Sequence, residues 1–378
     1  MYLGLVIFGA GSVVAANATT MEMIIAGRAL QGSGAIASTV MALASDLTRD
    51  DVRMRVMGII GMSIGLSFSL SLVIGPLLNS WVGVPGIFWT TAVLAIVGIG
   101  IVKFLVPDPV DIRRRRDTQA VPALFKNVLK DKRLLYLNFS IFVLHMILTS
   151  IFVVLPLLLR DSVGVAPDRH WMVYGVVIVF AMAVTVPIII YAERKRKLKQ
   201  VFASAVGLLA VSLAVLMTAQ YNLVFAMVSL WMFFVAFNVL EASLPSMVAR
   251  TAPADQKGTA MGVYSSCQFL GAFCGGAAGG GLYQVWGLTG VLIFGTIATL
   301  LWWILALCAE NPNHLSNFTV TLKGQLTPEQ GVVLAQRLGA VQGVAEAMVV
   351  SEEGVAYLKV DHRTLDRDAL HQAASMPA

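Results

Sequence analysis

A chain of 378 residues with 57% hydrophobic and only 13% charged side chains has too little polar surface to close around one soluble core, since soluble domains carry about 25% charged residues. With a mean hydropathy of +0.79, most of it belongs in lipid, and an all-α polytopic membrane bundle is the expected class. The net charge of +6 does not point to nucleic acid, because the cations fall in short loops between apolar runs.

Ten runs are long enough to cross a bilayer, at 2–17, 21–44, 56–78, 86–106, 133–159, 171–192, 201–219, 223–248, 258–281 and 287–308. The first is short and lacks a basic n-region, so it is not read as a cleavable signal. Alternate loops differ sharply in charge. One set carries 19 cations, including Arg49, Arg53, Arg55, Arg113 to Arg116, Arg194 to Lys197 and Lys199, and the other only Arg160 and Arg169. The rich side is read as cytoplasmic, which places both the first residue and the tail in the cytosol. Cys267, Cys274 and Cys308 all lie in apolar runs without CxxC spacing. Neither a disulfide framework, a metal site nor a cofactor is implied.

Residues 107–132 form a basic linker that divides four spans (1–106) from six (133–309). Within it, Leu124, Phe125, Val128 and Leu129 share one helical face, the pattern of a helix lying at the membrane surface. The run Arg113 to Arg116 reads either as a topology anchor or as a lipid-headgroup contact.

Shifting the first block by 204 residues lays it on the last without a gap: 2–17 on 206–221, 86–106 on 290–310, Met57 on Met261 and Gly58 on Gly262. Duplicated halves are the mark of many secondary transporters, whose substrate site lies between the repeats. The spans at 133–159 and 171–192 have no counterparts. A complete first half is expected to need roughly 70 further residues, two spans plus loops, with a naturally ten-helix protein as the alternative.

Ionisable residues inside spans are costly and are therefore functional candidates. Arg28 lies about two turns into the second span, with Gln31 one turn further and Gly32 and Gly34 allowing a close neighbouring backbone. His145, two turns after Asn138, lies mid-span and either lines a cavity or packs as a satisfied histidine. Glu241, four residues before Pro245, reads as a titrating carboxylate or as a local helix partner. Gly75-Pro76 and the glycines from Gly271 through Gly275 to Gly281 mark close or kinked helix contacts. Asp46, with Arg49, Arg53 and Arg55 nearby, reads as a salt bridge or a cytoplasmic gate. No paired carboxylates, HExxH or nucleophile motif points to an enzyme.

After Pro312 the chain becomes soluble and slightly acidic. Phe318, Val320 and Leu322 alternate as a strand, Thr327-Pro328-Glu329-Gln330 is a capping box that opens a helix to about Gly339, 344–350 and 355–360 read as a hairpin, and 364–374 as a second helix. This βαββα order over 316–378 resembles a ferredoxin-like α+β domain lacking its last strand. Its first loop, KGQLT, has no cysteine for a soft metal.

The pattern RALQGSGA, the loop ALASDLTRDDVR, the run FNVLEASLPSMVARTAPADQKGTAMGVYSSCQFLG and the soluble tail together resemble the major facilitator superfamily, in its YajR-type branch. The resemblance implies that ten of the fold's twelve helices are present. It places Arg28 and Gly32 in the family's second-span motif associated with proton coupling, and Asp46 at the carboxylate that pairs with a basic loop. That loop survives in the second half as YAERKRKLKQ. In the family's antiporter motif, Gly75-Pro76 are kept but Leu78-Asn79 stand where small glycines are expected. Two readings follow. One is a proton-coupled efflux antiporter of a bacterial inner membrane, whose partners are the bilayer, a small-molecule substrate and protons. The other is a membrane-embedded sensor or scaffold whose tail binds a cytosolic partner.

Overall fold

The computed structural model describes residues 1–48, 50–107, 125–218, 222–253, 256–309, 316–322, 327–351, 354–361 and 364–375, with only part of the side chains along 37–69. Among the described residues the membrane part is built of helices: α1 (Tyr2–Ala16), α2 (Met21–Ser33), α3 (Ile36–Leu47), α4 (Asp50–Phe104), α5 (Phe125–Lys130), α6 (Lys132–Leu157), α7 (His170–Arg194), α8 (Leu198–Thr218), α9 (Leu223–Thr251) and α10 (Lys257–Cys308). Helices are what lipid demands, because each backbone group must find its partner within the segment. Polar residues close the ends. Thr20 caps α2 by accepting from Met23 N, Asp131 caps α6 and Asn222 caps α9.

The expected spans 56–78 and 86–106, and likewise 258–281 and 287–308, are separate helices that meet without an intervening loop at a sharp non-helical corner, at Gly83 (φ 68°, ψ 178°) and Gly287 (φ 63°, ψ −159°). This backbone region is open essentially to glycine alone. The two corners stand 204 residues apart, the spacing of the repeat. Conversely the run 21–44, read as one span, is broken between α2 and α3, where Ala35 has φ 46°. The Gly32-Ser33-Gly34 sequence just before it favours such a break.

The described residues fall into two compact units, 1–113 with 165–176, and 114–164 with 177–378. In the first, α1 packs on α2 and α4, burying Leu5, Ala92 and Ala95. In the second, α6 is central and buries Leu137, Ile141, Leu144, Ile147, Ile151 and Leu155. Trp302 of α10 is fully buried, donates Nε1–H to Ser140 Oγ of α6 at 3.1 Å and meets Phe202 of α8 edge-on. The short α5 buries Val128 and leaves Leu129 half exposed. Leu124 and Arg113 to Arg116 lie outside the described residues.

The tail, part of the second unit, has β1 (Ser316–Thr321), α11 (Pro328–Gly339), β2 (Val344–Val350), β3 (Val355–Val360) and α12 (Arg367–Ser375) in an antiparallel sheet of order β1-β3-β2. Thr327 and Gln330 form the expected capping box. Every residue of β3 is buried. Ala356, Leu358 and Val360 join Leu334, Leu338 and Leu370 in the core, while alternation turns Val355, Tyr357 and Lys359 to the other face. There Lys359 Nζ donates to the Thr251 carbonyl at the end of α9 (3.3 Å), and Arg196 pairs with Asp361 at 3.0 Å. The tail is thereby tied to the cation-rich end of the second unit's helices.

Candidate functional site

In the second unit, His145 of α6, Glu241 of α9 and Gln268 of α10 converge. His145 sits 13 residues after Lys132, about 20 Å along its helix at 1.5 Å per residue and so near mid-membrane. Its Nδ1 lies 3.3 Å from the Ile141 carbonyl and its Nε2 lies 2.9 Å from Gln268 Nε2. The carbonyl only accepts, so Nδ1 carries the proton and Nε2 accepts from the amide. The second amide hydrogen of Gln268 goes to Glu241 Oε1 at 3.2 Å. Gln268 therefore bridges two titratable groups by using both of its donors. Glu241 Oε2 is shielded, lies 3.8 Å from His145 Nε2 and has no hydrogen-bond partner, yet the Glu241 side chain keeps 33% of its accessibility. The cluster is thus reachable from open space. Asn238, one turn before Glu241, and Tyr264, one turn before Gln268, also carry buried unpartnered polar atoms (Nδ2 and OH), as do both amide atoms of Asn138. Phe237 packs edge-on to the His145 ring.

In the first unit, Arg28 Nη1 donates to Gln31 Oε1 (2.7 Å), Gln31 Nε2 donates to Ser12 Oγ of α1 (2.6 Å), and Ser12 donates to the Phe8 carbonyl (2.9 Å). Gln31 and Ser12 are buried, whereas Arg28 is exposed. The expectation that Gly32 admits a neighbouring backbone is not met: a side chain there would meet nothing within 4 Å. At Gly34 the same expectation is met, against the Gly4 carbonyl, and Gly27 adds a further close approach, where a Cβ would lie 2.8 Å from Ala15 N. The side chains of Asp46 and Arg53 lie outside the described residues.

Glycines on α10 are where two helices touch. A Cβ on Gly271 would overlap the Phe142 carbonyl of α6, one on Gly275 the Met146 carbonyl, and one on Gly279 would stand 2.8 Å from Ser150 Cα. Thr149 Oγ1 crosses the same seam to the Ala272 carbonyl at 2.9 Å. Such approach needs small residues at four-residue spacing. Gly75, ahead of Pro76 inside α4, has open space at its Cβ position.

The sequence profile of the Major Facilitator Superfamily matches residues 1–273 and 199–327. The chain belongs to the major facilitator superfamily. A second profile, the YajR YAM domain, matches residues 327–375, so this is a YajR-type member with a C-terminal YAM domain. The chain is 41% identical over 370 residues to the inner membrane transport protein YajR of Escherichia coli (strain K12), covering 98% of itself and 81% of that protein. It is 24% identical over 186 residues to the multidrug resistance protein MdtH of Cronobacter sakazakii, covering 47% of itself and 46% of that protein. Its fold is similar to the crystal structure of the human organic anion transporter MFSD10 (TETRAN), with a TM-score of 0.61 at 19% identity, covering 81% and 76% of the two chains. A likeness at that identity is one of fold.

As a major facilitator protein the chain is a membrane transporter, and its polar residues inside the helices acquire meaning. Sequence reading paired Arg28 with Gln31 and singled out His145 and Glu241 separately. It missed Gln268, the amide that joins His145 to Glu241, and Ser12, which ties Gln31 to α1. The available signal was position: Gln268 follows Tyr264 by four residues on one face of an otherwise apolar helix.

Proposed function

We propose that this transporter exports small molecules across a bacterial inner membrane in exchange for protons, with the His145–Gln268–Glu241 cluster as the proton-handling site. The observation that carries the reading is the Gln268 amide held between His145 Nε2 (2.9 Å) and Glu241 Oε1 (3.2 Å), with Glu241 Oε2 left unpartnered. A proton arriving at His145 Nε2 removes the acceptor that Gln268 uses and creates a cation 3.8 Å from Glu241 Oε2. With Glu241 Oε2 itself out of contact with solvent and the His145 side chain largely buried, an ion pair at that distance is stronger than in bulk. Protonation thus exchanges one set of bonds among α6, α9 and α10 for another, and a change of this kind biases two arrangements of a helix bundle. Arg28, Gln31 and Gly32 are assigned to coupling in the first block. Asp46 and Arg53 are assigned to the cytoplasmic gate, Gly271 and Gly275 to the close α10–α6 contact, and Gly75-Pro76 to a bend within α4. The cation-rich loops put the first residue and the tail in the cytosol. The name of the E. coli relative favours the inner membrane.

The test is accumulation of a fluorescent amphipathic dye such as ethidium in everted vesicles that carry the chain. Uptake that collapses with a protonophore, and is lost in Glu241→Gln and Gln268→Leu variants that reach the membrane at normal levels, is the expected result. Dye uptake indifferent to the protonophore overturns proton coupling. Absence of any flux overturns the exporter reading for this chain.

A further inference from the structure

At the cation-rich end of the second unit, α7 stops at Arg194 and the chain turns through Arg196 (φ 54°) into α8. Beside that turn an open groove of about 310 Å³ runs between the end of α7, the start of α8 and the middle of α9. Its walls are aliphatic, with Val201, Leu208, Val235 and Val239, and its mouth carries Tyr191 and Lys197. The Lys197 ammonium lies 5.9 Å from the Tyr191 ring centre.

The lining from Lys197 along α8 is graded. Lys197, Gln200, Ser204 and Leu208 follow one another at three- and four-residue steps, so they form one stripe. Along it a cation gives way to an amide, then a hydroxyl, then a hydrocarbon. From Lys197 to Leu208 the stripe is about 16 Å long at 1.5 Å per residue, close to half of a hydrocarbon core about 30 Å thick. The neighbouring carboxylates are already taken: Glu193 holds Arg250 and Asp361 holds Arg196. Among the described residues Lys197 pairs with no carboxylate, and Arg194, Lys195 and Lys199 add to the positive field at the mouth.

We propose that this groove is a binding site for one anionic phospholipid of the adjacent leaflet. Its phosphate sits at Lys197, its glycerol esters meet Gln200 and Ser204, and an acyl chain lies along Val201, Leu208 and Val239. The order of chemistry along the stripe is the order of chemistry along the lipid. An embedded protein meets that ligand at the concentration of the leaflet itself, so modest intrinsic affinity suffices.

The experiment is native mass spectrometry of the purified full chain in mild detergent, titrated separately with dioleoyl phosphatidylglycerol and dioleoyl phosphatidylethanolamine. One phosphatidylglycerol is expected to be retained in preference. Lys197→Gln is expected to weaken it by about fivefold, the effect of one cation at a membrane surface, and Lys197→Arg to keep it. Ser204→Trp, which fills the groove, is expected to lower retention of both lipids. Equal binding of the two lipids overturns the proposal. So does a Lys199→Gln variant as weak as Lys197→Gln, which would mean diffuse attraction to the loop. Binding of glycerol phosphate with the same Lys197 dependence and no competition from phosphatidylglycerol also overturns it, in favour of a soluble anion.

Discussion

In the first block α1 lies against α2 and α4; 204 residues on, α8 lies against α9 and α10. The long helices end at equivalent residues, Phe104 and Cys308, and bend at equivalent glycines, Gly83 and Gly287. The polar residues follow no such rule. Ser12, Arg28 and Gln31 correspond to Leu216, Met232 and Val235, while Glu241 and Gln268 correspond to Ala37 and Ile64. One block keeps a cation linked through an amide, the other a carboxylate linked through an amide. Packing is shared because each pair of helices meets the same steric demands. A polar group in lipid is costly and is held only where it is used, so the chemistry is free to differ between copies.

The stripe at Gly271, Gly275 and Gly279 corresponds to Ser67, Ser71 and Gly75, and here the blocks part most sharply. In the second unit α6 covers it; at Gly75 a Cβ has nothing within 4 Å. Gly275→Ala and Gly279→Ala are expected to destabilise by about 3 kcal/mol each, since backbone must move to admit the methyl group. Gly75→Ala in this chain is expected to stay within roughly 0.5 kcal/mol. Thermal unfolding in detergent reads both. An equal loss at Gly75 would mean that the two stripes are used alike.

The corners test the likeness itself. Gly83→Val and Gly287→Val each force a branched residue into a region reserved for glycine, at about 2 kcal/mol. Losses in unfolding midpoint that match within error support equivalent corners, and a loss at only one of them breaks the pairing.

Exchanging a polar residue between blocks gives a smaller and asymmetric effect. Val235 is buried and Leu216 stands where Ser12 would be, so Val235→Gln leaves an amide without its partner and is expected to cost about 2 kcal/mol. Gln31→Leu loses the bond to Ser12, whose hydroxyl keeps the Phe8 carbonyl, and is expected to cost about 1 kcal/mol. Equal costs would mean that burial of the amide, rather than its bonding, decides.

How much of this was legible in the sequence depends on range. Apolar runs located every membrane helix, and strand alternation with the Thr327 capping box gave the tail its βαββα order, because both signals are local. That each of these pairs of helices meets at a single glycine corner, Gly83 or Gly287, was not legible, since a short gap between spans reads equally as a loop. The break at Ala35 was hidden inside an unbroken apolar run. Of the site, Arg28 with Gln31 was visible because the two are one turn apart. His145, Glu241 and Gln268 come from three helices, and no periodicity brings residues 123 positions apart together. Lys359 was unreadable for the same reason: in the strand VAYLKV it looks like a solvent residue, and only the helix end beneath the sheet explains its burial.

The smallest effect concerns the one shared position where charge reverses. Asp46 corresponds to Arg250, and Arg250 Nη2 bonds both oxygens of Glu193 (2.8 and 2.7 Å), in the last turn of α7 within the segment that resembles the basic loop expected to face Asp46. The second half thus holds a charge-swapped version of the pairing that the family resemblance implies for the first. The pair is partly solvated, with side-chain exposures of 25% and 41%, so Arg250→Glu is expected to cost no more than about 1 kcal/mol, less at high salt. Combining it with Glu193→Arg restores the attraction with the signs exchanged, and a double-mutant cycle isolates that term from changes in packing. Recovery in the double variant, largest at low salt, means that the contact depends on opposite charge and not on which helix carries it, so that Asp46 and Arg250 are one device with its polarity inverted. No recovery means that the guanidinium geometry matters, and that position 250 has left the role held at position 46.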